Sequence, residues 1–240
     1  MKLPKNEKVN RDGSNNIKLW IYGSPNIGKT TFANQFPDVL MINTDGNYKY
    51  VDAPVVTLVD GNKDPWENFI EIIDELLKGQ HTYKTIVVDL LEDVYQYARN
   101  YYCKQLKVNH ESELGYAKGY DIIRNNFLIC LRKLATSDYN IIFISHEETE
   151  TIKDRIGRET TVYKTALPDK VAKKVSGMVE ITGRITINSK EDDEGNIIDS
   201  RILNLSPSKD QFGGNKIPTI KKDNIELSYE NLIKTIKGDV

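Results

Sequence analysis

One short stretch limits what this chain can fold into more than any other feature. Gly23-Ser24-Pro25-Asn26-Ile27-Gly28-Lys29-Thr30 matches the pattern GxxxxGK[ST]. It follows an apolar run, Ile17 to Tyr22, and opens a segment that reads as a helix from Lys29 to about Phe36. Gly23 and Gly28 let the backbone turn tightly and approach a bound phosphate. Successive N–H groups then face inward at the positive end of a helix. Lys29 would meet the β- and γ-phosphates as a point charge, the Thr30 hydroxyl would hold Mg²⁺, and Thr31 completes the phosphate-binding set. The plainer alternative is a glycine-containing strand-to-helix turn with an incidental lysine.

The rest of the chain alternates strand and helix patterns. Val39–Asn43, Thr85–Asp89 and Asn140–Ser145 are continuous apolar runs, as expected of strands buried on both faces, and Val55–Val59 is a further strand candidate. Asp64-Pro65-Trp66-Glu67 is a helix start, and Trp66, Phe69, Ile70, Ile73 and Leu77 share one face up to Gly79. Helices are also predicted around Leu91–Tyr102, Ile123–Leu134 and Leu167–Met178. The charged stretch Glu147–Lys164 reads as a mobile loop. Ile181–Asn188 and Ser200–Leu205 flank Asp-Asp-Glu-Gly-Asn (residues 192–196), which reads as a hairpin turn. This order predicts an α/β fold: a mostly parallel sheet with helices on both faces and a C-terminal β-hairpin extension. The expected organisation is a flexible tail over 1–16, a core over 17–205 that includes the hairpin, and a polar segment over 206–240, packed on or flanking the core, with a helix near Ser228–Lys237.

Three further residues sit where phosphate chemistry needs them. Asp89 ends a strand, where a carboxylate can hold Mg²⁺ through water; alone, it could equally cap the next helix. Asp45 follows the strand after the Lys29 helix and could orient or deprotonate an attacking water. His146 ends the strand after that of Asp89, where it could sense a γ-phosphate or simply be solvated. His81 and His110 lie in polar stretches and read as surface residues.

Composition narrows the function classes. Lys plus Arg number 33 and Asp plus Glu 35, for a net charge of −2, so the chain is not a globally basic coat for nucleic acid. With 39% apolar and 28% charged residues in 240, collagen-like and wholly disordered readings fall away. Cys103 and Cys130 lie in helical patterns without a CxxC pair and read as small core hydrophobes. No apolar run is long enough to span a bilayer, and Met1–Asn16 lacks an apolar signal core, so no membrane partner and a reducing, cytoplasmic setting are expected.

In this order, the four elements resemble the RecA-type core of P-loop ATPases. More narrowly, they are similar to phage-encoded RecA-like ATPases, AAA-type NTP-binding proteins of the single-strand annealing and recombination type, over about residues 17–220. The resemblance makes Gly23–Thr30 the Walker A loop and Thr85–Asp89 the Walker B strand. It makes Asp45 the water-activating carboxylate, one methylene shorter than the glutamate of RecA proper, and it puts His146 in the place of a coupling glutamine. It further implies that Lys107–Lys118 and Glu147–Lys164 face DNA. Lys118, Lys153, Arg155 and Arg158 would then meet phosphates and Tyr116 would stack on bases, unless both are merely solvated, charge-balanced loops. Lys209 and Lys216 would reach a neighbouring subunit's γ-phosphate, or be plain surface lysines.

The resemblance implies an Mg²⁺-dependent ATPase acting on single-stranded DNA in phage recombination, repair or replication. It would assemble as a homo-oligomeric ring or filament in the cytoplasm of an infected bacterial host, with a single-strand binding protein as a candidate partner. The alternative is a nucleotide-gated assembly or loader module with little turnover, which Asp45 favours. A GTPase fits less well, since Asn62-Lys63-Asp64 precedes Pro65 and is no guanine reader, and the 147–164 segment is too mixed in charge for a kinase lid.

Overall fold

The computed structural model describes residues 16–153, 156–191 and 194–239. The expected tail over 1–16 thus lies almost wholly outside the described residues, as do Arg155 and the start of the 192–196 turn. In chain order the elements are β1 (Lys18–Gly23), α1 (Lys29–Ala33), β2 (Val39–Asn43), β3 (Val55–Thr57), α2 (Pro65–Leu76), β4 (Thr85–Asp89) and α3 (Leu91–Gln105). They continue with a 3₁₀ turn (Glu111–Leu114), α4 (Lys118–Ala135), β5 (Asn140–Lys153), β6 (Glu159–Thr165), α5 (Asp169–Met178), β7 (Ile181–Glu191), β8 (Ile197–Asn204), β9 (Gly214–Asn215), β10 (Asn224–Glu226) and α6 (Tyr229–Lys237).

The sheet runs β10-β8-β7-β1-β5-β4-β2-β3. From β7 to β3 all neighbours are parallel, while β8 and β10 join antiparallel at one end. This is the predicted α/β architecture. Pleating sends alternate side chains of each central strand to two separate cores. Trp20, Val88, Ile141 and Phe143 join Trp66, Phe69 and Phe127 under α2–α5. Leu19, Ile21, Met41, Ile142 and Ile144 join Phe32, Leu232 and Ile236 under α1 and α6. Burial on both faces is why these strands read as unbroken apolar runs. Cys103 and Cys130 are buried free thiols.

Several expectations change. The 147–164 segment is not a loop: β5 continues to Lys153 and pairs antiparallel with β6, Glu147 opposite Thr165 and Lys153 opposite Glu159. Thr149, Thr151, Thr160, Thr161, Val162 and Tyr163 supply the β-branched and aromatic residues that such a hairpin favours. Likewise β7 runs on to Glu191 and pairs with β8 from Ile197. The helix α1 stops at Ala33, with Asn34 as its C-cap. His81 is half-buried against Tyr83 and Tyr139, and its Nε2 lies 3.0 Å from the Leu76 carbonyl oxygen. The 206–240 stretch, polar in composition, delivers Ile220, Ile225, Leu232 and Ile236 to the core on the α1 side. Ser228 caps α6 by accepting from the Asn231 N–H at 3.2 Å. Among the described residues no helix is long and apolar enough to cross a membrane.

Candidate nucleotide site

The site forms where β1, β4 and β2 end, beside His146 within β5. The register aligns Gly23 with His146, Asp89 with Ile144 and Asn43 with Asp89. Gly23 has to be glycine, because a Cβ there would stand 2.9 Å from the Ile185 carbonyl oxygen. Asn26 and Gly28 take left-handed φ values of 63° and 97°, which coil residues 24–28 into a loop before α1. Ile27 is buried and anchors the loop, while Ser24, Pro25, Asn26 and Thr31 are exposed.

Lys29 is buried, and its ammonium donates to the Gly23 and Ser24 carbonyls, both at 2.9 Å. Burial lowers its pKa, against the raising influence of Asp89, Glu92 and Glu147. The charge therefore sits inside the loop, surrounded by carboxylates and supplied with little solvent, as a phosphate-binding lysine requires.

Next to it, Thr30 Oγ1 donates to Asp89 Oδ2 at 2.7 Å. Thr44 fixes the end of β4 by donating its N–H to the Asp89 carbonyl at 2.9 Å and accepting the Leu90 N–H on its hydroxyl at 2.8 Å. Burial pushes the Asp89 carboxyl up to about 6, helped by Asp45 and Glu92 and opposed by the Thr30 hydrogen bond and Lys29. A hydroxyl and a buried carboxylate in contact, both hard oxygen donors, suit a magnesium ion carried in with phosphates. Such an ion would neutralise the charge that burial makes costly.

Asp45 is exposed and turned to local work. It accepts from Asn43 Nδ2 at 3.0 Å, from the Asn47 N–H at 2.9 Å and from Asn47 Nδ2 at 2.7 Å. Partial desolvation pushes its carboxyl up, but these hydrogen bonds together hold it below the ordinary value. It braces the turn after β2, and its charge still reaches Asp89.

His146 does reach the site, paired with a residue that the sequence did not single out. Glu92 Oε1 accepts the His146 backbone N–H at 2.8 Å and lies 3.0 Å from His146 Nδ1. Glu92 Oε2 is buried with no hydrogen-bond partner among the described residues. In sequence, Glu92 looks like an ordinary acidic residue in the first turn of α3. Arg201 was missed too: a Cβ on Gly28 would stand 3.3 Å from its Cδ and Nε, so β8 brings a cation to the rim of the loop. A groove of about 400 Å³ separates residues 24–27 from Arg184–Ile187 of β7.

Of the remaining sequence candidates, Lys216 lies apart from this cluster. Lys216 Nζ donates to the Ser176, Gly177 and Val179 carbonyls at 2.9, 2.9 and 2.6 Å, closing the end of α5. The Lys216 backbone N–H meets Glu180, which places it at the end of the sheet opposite the phosphate loop. Lys209 is exposed between β8 and β9. Tyr116 is fully exposed, in left-handed backbone just before α4, and Lys118 begins that helix. Lys153 pairs with Glu159 at 2.8 Å across the β5–β6 hairpin, and Arg158 is exposed near its turn. At the foot of the hairpin, Arg184 binds Glu147 at 2.6 Å and lies 3.4 Å over the Tyr163 ring.

Comparison with solved structures finds weak resemblances. The flagellar accessory protein FlaH from Methanocaldococcus jannaschii is 12% identical, with a TM-score of 0.46 over 88% of this chain and 84% of that one. The pilus retraction motor PilT with bound ADP is 10% identical, with a TM-score of 0.35 over 81% and 49%. The Legionella pneumophila ATPase DotB is 9% identical, with a TM-score of 0.31 over 79% and 46%. No curated protein sequence matches. One family model, described as an AAA domain, matches residues 15–217, which hold the phosphate loop, Asp89 and His146 together. This chain is a P-loop, ATPase-type protein of the AAA domain family.

Proposed function

We propose that the protein binds ATP with Mg²⁺ and hydrolyses it, and that the cycle is coupled to single-stranded DNA in phage recombination, repair or replication. The observation that carries the nucleotide chemistry is the buried Lys29 beside the Thr30–Asp89 pair at the mouth of a glycine-bounded loop. Lys29 would neutralise the phosphates, and Thr30 and Asp89 would hold the ion, which would supply charge stabilisation at the transferred phosphoryl group.

The DNA coupling rests on the β5–β6 hairpin, which begins at the residue after His146. A shift of His146 on loss of the γ-phosphate would act directly on the Glu147–Arg184–Tyr163 clasp at the hairpin's foot. Lys153 and Arg158 on that hairpin, with Tyr116 and Lys118, supply charge and a stacking ring for the strand, and Arg155 adds a further cation in the same stretch of sequence. Assembly into a ring or filament would let a lysine act on a neighbour's γ-phosphate. Lys209 suits this better than Lys216, whose ammonium already serves α5. A single-strand binding protein is the partner such a protein would meet on DNA.

A second reading, a nucleotide-gated assembly module with little turnover, is favoured by one observation: the Asp45 carboxylate is occupied by its own turn. ATP turnover at fixed Mg²⁺, with and without single-stranded DNA across a salt series, separates the two. Stimulation that fades with salt supports the first reading, and binding with turnover indifferent to DNA supports the second. Lys29→Ala should remove turnover and weaken nucleotide binding; unchanged turnover would remove the phosphate-loop assignment.

A further inference from the structure

We propose that Glu92, rather than Asp45, is the carboxylate that orients and deprotonates the water attacking the γ-phosphate, and that it also positions His146. The inference rests on the ATPase reading of the site. Glu92 sits in the first turn of α3, three residues after Asp89, and its side chain is only 15% exposed. Its two oxygens do different things. Oε1 is held by the His146 N–H at 2.8 Å and by His146 Nδ1 at 3.0 Å. Oε2 is buried with no partner among the described residues. An unsatisfied buried carboxylate oxygen is costly, and it marks a place for a group the protein does not itself supply.

The surroundings point to water at a phosphate. Glu92 acts electrostatically on both Lys29 and Asp89, so it belongs to the same cluster as the phosphate-binding ammonium and the metal carboxylate. Burial pushes its carboxyl up, against the hydrogen bond and the charge of His146. A base with raised affinity for a proton suits the task better than Asp45, which is held below its ordinary value by three hydrogen bonds. His146, held through both its backbone and its ring, would fix the direction in which Oε2 points.

In the step itself, the water oxygen forms a bond to Pγ and its proton passes to Glu92 Oε2. The bond from Pγ to the β,γ-bridging oxygen breaks, and its electron pair leaves with ADP. Glu92 then returns the proton to the released phosphate or to solvent, so atoms and charge balance. Lys29 needs no change of protonation.

Glu92→Gln is the test, because an amide can still accept the His146 N–H and preserves shape. The expected result is a fall in kcat of about 10²-fold or more, deeper than that of Asp45→Asn. The Kd for a fluorescent ATP analogue, measured by direct titration, should stay within about threefold of wild type, as expected when transition-state stabilisation is lost and binding is kept. The wild-type kcat should rise with pH as Glu92 loses its proton, and that limb should be missing in Glu92→Gln. A Glu92→Gln protein with near wild-type kcat and the same pH limb overturns the inference while leaving the ATPase reading intact. A kcat kept and a Kd raised in proportion also overturns it, by making Glu92 a binding residue. A wild type that binds ATP without hydrolysing it removes both the inference and the reading it rests on.

Discussion

From Ile141 to Ser145, β5 is buried between β1 and β4; from Glu148 to Lys153 the same strand is exposed and pairs with β6. The first half is Ile-Ile-Phe-Ile-Ser, the second Glu-Thr-Glu-Thr-Ile-Lys. One half is held by apolar burial on two faces, the other by ladder hydrogen bonds and surface ion pairs such as Lys153–Glu159 and Lys164–Glu150. His146, Glu92 and the phosphate loop sit at the boundary between them. A nucleotide site at such a boundary has a rigid element behind it and a softer one in front, which is how a small change at a phosphate becomes a larger movement elsewhere.

The contrast can be broken most forcefully in the buried half. Phe143→Ala should destabilise the fold by about 3–5 kcal/mol, read by urea denaturation, because Phe143 is fully buried in the core under α2–α5. A cost below about 1 kcal/mol would mean that the central sheet is not the rigid side of the boundary.

A smaller effect, of opposite sign, is expected at the boundary. The fold raises the Asp89 carboxyl from 3.8 to about 6, so it holds this proton more tightly than the unfolded chain does. That contribution is present below about pH 4, is lost as pH rises to about 6, and stays lost above it. Asp89→Asn should therefore stabilise the nucleotide-free protein at pH 7.5 by about 2–3 kcal/mol, with the gain gone near pH 4. Equal stability at both pH values would show that burial of this charge costs nothing. The same variant should lose Mg²⁺-dependent nucleotide affinity.

The smallest effect belongs to the exposed half. Lys153→Ala should change stability by less than about 0.5 kcal/mol, since both members of its ion pair are well exposed. A larger loss would mean that the hairpin is a stabilising part of the fold.

The same contrast decides what could be read from sequence. Buried strands announce themselves as apolar runs, and the Gly23–Thr30 loop is held together by neighbours in sequence, so both were legible. The β5–β6 hairpin was not. Its charges resemble those of a solvated loop, and its pairing depends on register across a turn. Glu92 was hidden for another reason: a glutamate in the first turn of a helix is commonplace, and only the adjacency of β4 and β5 sets it against His146. Lys216 misled in the other direction, because its covalent neighbours say nothing of the α5 carbonyls that it serves.

The helix α6 lies late in the chain yet packs beside α1. Tyr229 meets Phe36 with ring centroids 4.6 Å apart, and its N–H is accepted by the Gln35 side chain at 2.9 Å. Leu232 and Ile236 share a core with Phe32, one turn from Lys29. Shortening the chain before Tyr229 would thus strip the outer wall from the helix that carries Lys29. Loss of the last helix would look, in an assay, like a defect in the first.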